Sequence, residues 1–160
     1  GLIDERPLPL KGPRARVVNV TSKTYGTRMY NKERRLVVYN MIFANTPLPV
    51  EVIEPACTVE DNQKSLMITV FESDFTDPVA DHQVEERFCV KLEERILQLN
   101  KNWPKGTPCD VKYSLNEEGI LAVHCEVDKD KIDFELTITG VKTQEEMEKS
   151  TIAIGKTVVS

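Results

Sequence analysis

Short runs in which apolar and polar residues alternate, separated by turn signals, recur along most of this chain, and a period of two marks half-buried β-strands. The clearest runs are Arg16–Val20, Thr24–Tyr30, Arg35–Ile42, Glu51–Val59, Leu66–Glu72, Asp110–Leu115, Ile120–Val127 and Asp133–Thr139. They predict a mainly β protein, an antiparallel β-sandwich over residues 16–140. Residues 1–15, rich in proline and mixed charge, read as a linker or extended arm. Between Val84 and Leu99 the pattern is ambiguous. Val84, Phe88, Leu92, Ile96 and Leu99 fall at helical spacing, while Phe88, Val90 and Leu92 alternate as in a strand. Periodicity alone favours a helix there. Near the end, Thr143 and Glu146 have the spacing of a capping box, which predicts a short helix over Gln144–Ile154 within a segment, 141–160, of helix and tail.

Composition narrows the function classes. The chain has 160 residues, 40% hydrophobic and 29% charged, as expected of one folded domain with a well-solvated surface. A net charge of -5 argues against a nucleic-acid partner, which needs clustered Lys and Arg to displace counterions from phosphates. Lys32, Arg34 and Arg35 form only a small basic cluster, read as a solvated hairpin tip. No apolar run is long enough to span a bilayer. Cys57, Cys89, Cys109 and Cys125 stand singly, without the paired spacing of zinc or redox motifs, and read as reduced thiols of a cytoplasmic protein.

Four segments carry more specific information: Asn45-Thr46-Pro47-Leu48-Pro49, Thr58-Val59-Glu60-Asp61-Asn62-Gln63, Pro104-Lys105-Gly106-Thr107-Pro108 and Asn116-Glu117-Glu118-Gly119-Ile120-Leu121-Ala122-Val123. In order and in wording they resemble the peptide-binding β-sandwich of the 70-kDa heat shock chaperones, the DnaK-like family, over Val17 to Ile138. The resemblance places a strand at Arg95–Leu99 and makes Ser73 to Phe88 an insertion longer than is usual there. It implies a chaperone of the stress response whose groove holds extended apolar segments of unfolded proteins. Its partners would be those polypeptides, co-chaperones and an ATPase domain of the same protein. ATP and magnesium would belong to that domain, and this chain itself would need no cofactor, bind no metal and catalyse nothing.

By the same resemblance, the groove takes its first strand from Thr24 to Tyr30, its second from Ala56 to Val59, and its third from beyond Gln63 through Leu66 and Ile68. Leu66 matches the wall of the central pocket. Thr27, Met29, Ala56, Thr58 and Ile68 match other peptide contacts, Gln63 is counted with them, and Tyr30 with Val59 matches the pair that arches over the peptide. The residue types suit the task, because methionine adapts to varied partners and a tyrosine ring can cover a backbone while its hydroxyl stays wet. Val17, Val18, Asn19 and Val20 match the end of the interdomain linker, preceded here by Arg14 and Arg16 where the family has acidic residues. The family's long helical lid has no match, so the expectation is an open groove with fast peptide exchange.

Several positions depart from the family. Thr27 stands where isoleucine is usual and Ala56 where phenylalanine is usual, and this motivates the alternative of a structural or assembly β-sandwich that has lost the groove. Alternation at Leu66, Ile68 and Val70 would also occur in any sandwich core. His124 and Cys125 are adjacent on a strand and point to opposite faces. Trp103 reads as a loop residue and His82 as part of a polar loop. Glu72, Asp74, Asp77 and Asp81 lack the spacing of a calcium loop. No Gly-rich phosphate loop follows any strand.

Overall fold

The computed structural model describes residues 17–149, and there the alternating runs become strands of three antiparallel sheets. Asn19–Thr21 (β1) pairs with Val141–Thr143 (β11), so the two ends of the described chain are tied together. Thr24–Tyr30 (β2), Leu36–Ile42 (β3), Gln63–Ser73 (β5), Gln83–Val84 (β6) and Val90–Trp103 (β7) form a five-stranded sheet in the order β6-β3-β2-β5-β7. Val50–Glu54 (β4), Val111–Leu115 (β8), Ile120–Val127 (β9) and Asp130–Thr137 (β10) form a four-stranded sheet in the order β10-β9-β8-β4. One short helix, residues 144–149, follows β11.

Alternation decides what each face does. Tyr25, Ile68, Val70 and Leu97 of the larger sheet meet Val111, Tyr113, Leu115, Leu121, Val123 and Phe134 of the smaller one in a single core. Each such side chain removed from water contributes about 1.5–3 kcal/mol, so the two inner faces hold the sandwich together. At its centre the fully buried Tyr113 donates a hydrogen bond of 2.8 Å to the Gly26 carbonyl of β2, and so joins the two sheets. The register of β2 against β3 shifts between Tyr25 and Gly26. At that irregularity a Cβ on Gly26 would stand 2.6 Å from the Tyr39 carbonyl oxygen and 2.7 Å from both Asn40 Oδ1 and Val38 Cγ1.

Each of the four segments singled out in the sequence contains a turn and holds one residue in the left-handed region: Asn45, Asn62, Gly106 and Gly119. Asparagine and glycine tolerate that region best, which gives these spellings a local physical cause. Asn45-Thr46 clasps the start of the fold. Thr21 N donates to the Thr46 carbonyl at 3.0 Å, and the Thr21 hydroxyl donates to the Phe43 carbonyl at 2.7 Å.

Several expectations are corrected. The run Glu51–Val59 is strand only to Glu54, because Pro55 has no N–H to continue the ladder; beyond it Cys57 makes one isolated bridge with Pro108. The helical spacing from Val84 to Leu99 does not produce a helix. Val90–Trp103 is one long strand on β5, and it exposes Val90, Leu92 and Ile96, so the apolar spacing there does not mark a buried helical face. Arg95–Leu99 is the middle of that strand, and Trp103 is its last residue, paired with Gln63 and not in a loop. The Ser73 to Phe88 segment holds β6 and a 3-10 turn at Glu86–Phe88. His82 is an exposed loop residue, as expected, and stands edge-on to Tyr39 at 5.5 Å between ring centroids. The capping box forms as expected. Thr143 N donates to Glu146 Oε1 at 2.9 Å, and Glu146 N donates to Thr143 Oγ1 at 3.1 Å. The rest of the expected helix, beyond residue 149, and the arm 1–15 lie outside the described residues.

A Gly26→Ala substitution is expected to cost about 1–3 kcal/mol, the usual penalty for forcing a methyl group into a filled site. Urea unfolding should show a lower midpoint with an unchanged slope.

Candidate functional site

The β2–β5 ladder stops before either strand does. Their pairing runs from Thr24 with Ser73 to Thr27 with Val70 and ends there, although β2 continues through Arg28 to Tyr30 and β5 begins seven residues earlier, at Gln63. On their outer sides both strands remain paired, Tyr30 with Leu36 and Leu66 with Leu97. The result is a break in backbone pairing between two strand edges within one sheet, the candidate cleft. On its β2 side stands the hairpin tip 31–35, closed by Asn31, whose N–H donates to the Arg35 carbonyl at 2.9 Å. On its β5 side stands the loop 55–62.

The sequence-derived site residues divide by where their side chains go. Met29 and Leu66 are half-buried at the cleft and pack against the core. Tyr30 is half-exposed on the rim. Thr27, Thr58 and Ile68 are buried, so any contact they make with a ligand in this conformation is not through an open side-chain surface. Thr27 lies beside the Tyr113 phenol, and this explains a hydroxyl where an aliphatic side chain was expected. Burial pushes the ionisation of Tyr113 up, an effect the Thr27 side chain opposes.

The loop 55–62 is held by its own polar residues. The Thr58 hydroxyl donates to the Pro104 carbonyl at 2.7 Å and accepts from Thr107 N at 2.9 Å. Backbone bonds from Thr58 N to the Thr107 carbonyl and from Gly106 N to the Thr58 carbonyl, each 2.9 Å, complete the staple between the loops. Gln63 Oε1 accepts from Val59 N at 3.0 Å and Glu60 N at 3.3 Å, while its Nε2 donates to the Ser65 carbonyl. The Thr58 and Gln63 side chains therefore shape the wall, and Ala56 and Val59 sit half-buried upon it. Of the linker match, Val17 and Val18 are exposed. Val20 is buried in β1, and Asn19 Nδ2 donates to the Glu117 carbonyl at 3.0 Å.

Sequence reasoning passed over Arg28. It is the first residue of β2 beyond the last β2–β5 pair, and its guanidinium lies on the outer face of the sheet, where it meets Glu86, Glu94 and Thr69. A single charge in an otherwise uncharged strand, Thr24–Tyr30, was the available signal.

The other polar groupings have local explanations. A depression of about 400 Å³ on the outer face of the smaller sheet is lined by Lys112, Ser114, His124, Asp133 and Glu135, among others. The Ser114 hydroxyl donates to Glu51 Oε1 at 3.1 Å, so Ser114, His124 and Asp133 form no nucleophile–base relay. Cys125 is buried while its neighbour His124 lies on the outer face, as strand geometry requires. Burial pushes the Cys109 and Cys125 thiols up to about 12. The acidic segment is internally satisfied at two points, because Asp77 accepts from Val79 N and Ala80 N, and Asp74 pairs with Lys23. Among the described residues no three His, Cys, Asp or Glu side chains converge on a metal position, and no helix is long and apolar enough to cross a membrane. In comparisons with known proteins, no family model matches the chain, and no curated protein matches its sequence.

His124 is held at both ring nitrogens, Nε2 to Glu126 Oε1 at 3.0 Å and Nδ1 to Asp133 Oδ1 at 2.6 Å. Only the imidazolium donates from both, so the Glu126 and Asp133 hydrogen bonds raise its pKa. A raised folded-state pKa gives stability that is complete below the unfolded value, about 6.5, and is lost as pH rises through the folded value. Replacing His124 by Gln should therefore lower Tm at pH 6, with the difference from the unsubstituted chain shrinking steadily above neutrality in a pH series of thermal melts.

Proposed function

We propose that this chain holds extended apolar polypeptide segments, as the peptide-binding sandwich of the 70-kDa heat shock chaperones does. The observation that carries the reading is the end of the β2–β5 ladder at Thr27 and Val70. Beyond it, the β2 and β5 edges are no longer paired with each other, and Met29 and Leu66 on those two strands are partly buried against the core. A strand edge offers backbone donors and acceptors to any extended chain regardless of its sequence, and apolar side chains beside it add affinity for an aliphatic residue. Promiscuous holding needs that combination and no reacting group. The order of the turn segments in the sequence supports the same assignment, since the two that flank the cleft, Thr58–Gln63 and Pro104–Pro108, are stapled to each other.

In this reading Met29 and Leu66 receive the client side chain, and Tyr30 closes over the client backbone from the β2 side. Thr27, Thr58, Gln63 and Ile68 build the walls from within. ATP-driven switching belongs to an ATPase domain of the same protein, reached through Val17 to Val20. A second reading, a structural or assembly module, has one observation in its favour: the Thr58 and Gln63 side chains are consumed by contacts within the sandwich.

Titration of an extended Leu-rich peptide against the chain, followed by amide chemical shifts, separates the two. The cleft predicts changes concentrated at Met29, Tyr30 and Gln63 to Ile68. An absence of change there, at peptide concentrations into the millimolar range, would overturn it. Tyr30→Ala should weaken the peptide by about fivefold, roughly 1 kcal/mol, because an aromatic cover is lost. Its Tm should be unaltered, since the ring is half in solvent.

A further inference from the structure

The cleft has a tether on each side, and both attach to one residue. Arg28 Nε donates to Glu86 Oε2 at 2.9 Å and Nη2 to Glu86 Oε1 at 2.5 Å, a two-pronged pairing. Its remaining nitrogen, Nη1, reaches the other way, to Glu94 Oε2 at 3.3 Å and Thr69 Oγ1 at 3.5 Å. Glu94 is fixed in turn by the Thr69 hydroxyl at 3.1 Å and by Lys91 at 3.5 Å. The guanidinium also lies 5.5 Å from the centre of the Phe71 ring. Its side chain is only 19% exposed, so these bonds are better shielded than an ordinary surface pair.

The two tethers belong to different parts of the fold. Glu86 is in the 3-10 turn of the insertion, which packs near β3, whereas Thr69 and Glu94 are on β5 and β7. The insertion is itself anchored. Asn40 N donates to the His82 carbonyl at 2.9 Å and Asn40 Nδ2 to the Asp81 carbonyl at 2.8 Å, β6 pairs with β3, and Phe75 meets Phe88 edge-on. A force on Arg28 from Glu86 therefore draws the end of β2 toward β3. A force from Glu94 and Thr69 draws it toward β5.

We propose that Arg28 is the positioning residue of the cleft and that the insertion, residues 74–89, acts through Glu86 to set the distance between β2 and β5, and thereby the rate at which an extended polypeptide enters and leaves. The rate half of this statement rests on the peptide-holding reading. The spacing half does not.

Opposed tethers make opposed predictions. In Glu94→Gln the charge on the β5 side is gone, so β2 moves with the insertion and the cleft widens. In Glu86→Gln the guanidinium turns wholly to Glu94 and Thr69, and the cleft narrows. Hydrogen exchange without peptide should be faster by about threefold or more at the Arg28–Tyr30 and Leu66–Thr69 amides in Glu94→Gln and slower by a similar factor in Glu86→Gln, the scale of one shielded ion pair. The Thr24–Thr27 amides should be unchanged in both. Stopped-flow release of a fluorescein-labelled Leu-rich peptide should follow the same two directions. A merely stabilising network would speed exchange in both variants, and that result, or no change in either, overturns the proposal. Opposed exchange with no peptide binding to the unsubstituted chain would leave the tether standing and remove the peptide reading.

Discussion

The hydrogen bond from Tyr113 to the Gly26 carbonyl is the constraint around which this sandwich is arranged. A phenol fully withdrawn from water must find a partner, and Tyr113 finds the Gly26 carbonyl across the core on the opposite sheet. Meeting that need fixes β2 at one height over β8. It places the β2 irregularity at Gly26, where no side chain can fit, and puts a hydroxyl at Thr27 beside the same phenol. The β2–β5 ladder ends at the next pair. Below this point β2 and β5 are held by ladder and core together; above it β2 is held to β3 by its ladder and across to β5 and β7 through Arg28.

That division of labour separates the rigid part of the molecule from the part able to yield. The core residues from Tyr25 to Phe134 are closed to solvent and densely packed, and such interiors do not deform continuously. The end of β2 is laddered to β3 alone, and toward β5 and β7 it is held by the Arg28 side chain. Loops at the same end are stiffened by local polar contacts, Asn31 in the hairpin tip and Thr58 with Gln63 in the loop opposite.

Compared one at a time with the family that the sequence resembles, Thr27 and Ala56 look like the loss of a pocket. In the fold, Thr27 answers a demand made by Tyr113, and Ala56 lies in a wall fastened to the loop 104–110 by backbone bonds, among them Cys109 N to the Ala56 carbonyl at 2.9 Å. The two positions contribute to the framework. Whatever aliphatic contact the cleft offers is carried by Met29 and Leu66.

The sequence by itself determined what depends on near neighbours. Period-two alternation specified most strands, β2 and β9 to the residue, because pleating sends successive side chains to opposite faces in any sheet. Asn45, Asn62, Gly106 and Gly119 marked their turns because a left-handed backbone restricts residue type locally, and Thr143 with Glu146 marked a helix start for an equally local reason. Only the tertiary structure decided the rest. Val84 to Leu99 carries helical spacing, yet most of it lies in the strand Val90–Trp103 because β5 supplied the hydrogen bonds, from Glu72 opposite Val90 to Gln63 opposite Trp103, a partner outside any local window of sequence. Thr58 and Gln63 were recognisable in the sequence, but the carbonyls and amides that occupy their side chains became apparent only once loops were brought together. Arg28 is the single charge of an otherwise uncharged strand, and nothing near it in the chain marks it out. It gained its place when Glu86, Glu94 and Thr69, all more than thirty-five residues away along the chain, converged on one guanidinium.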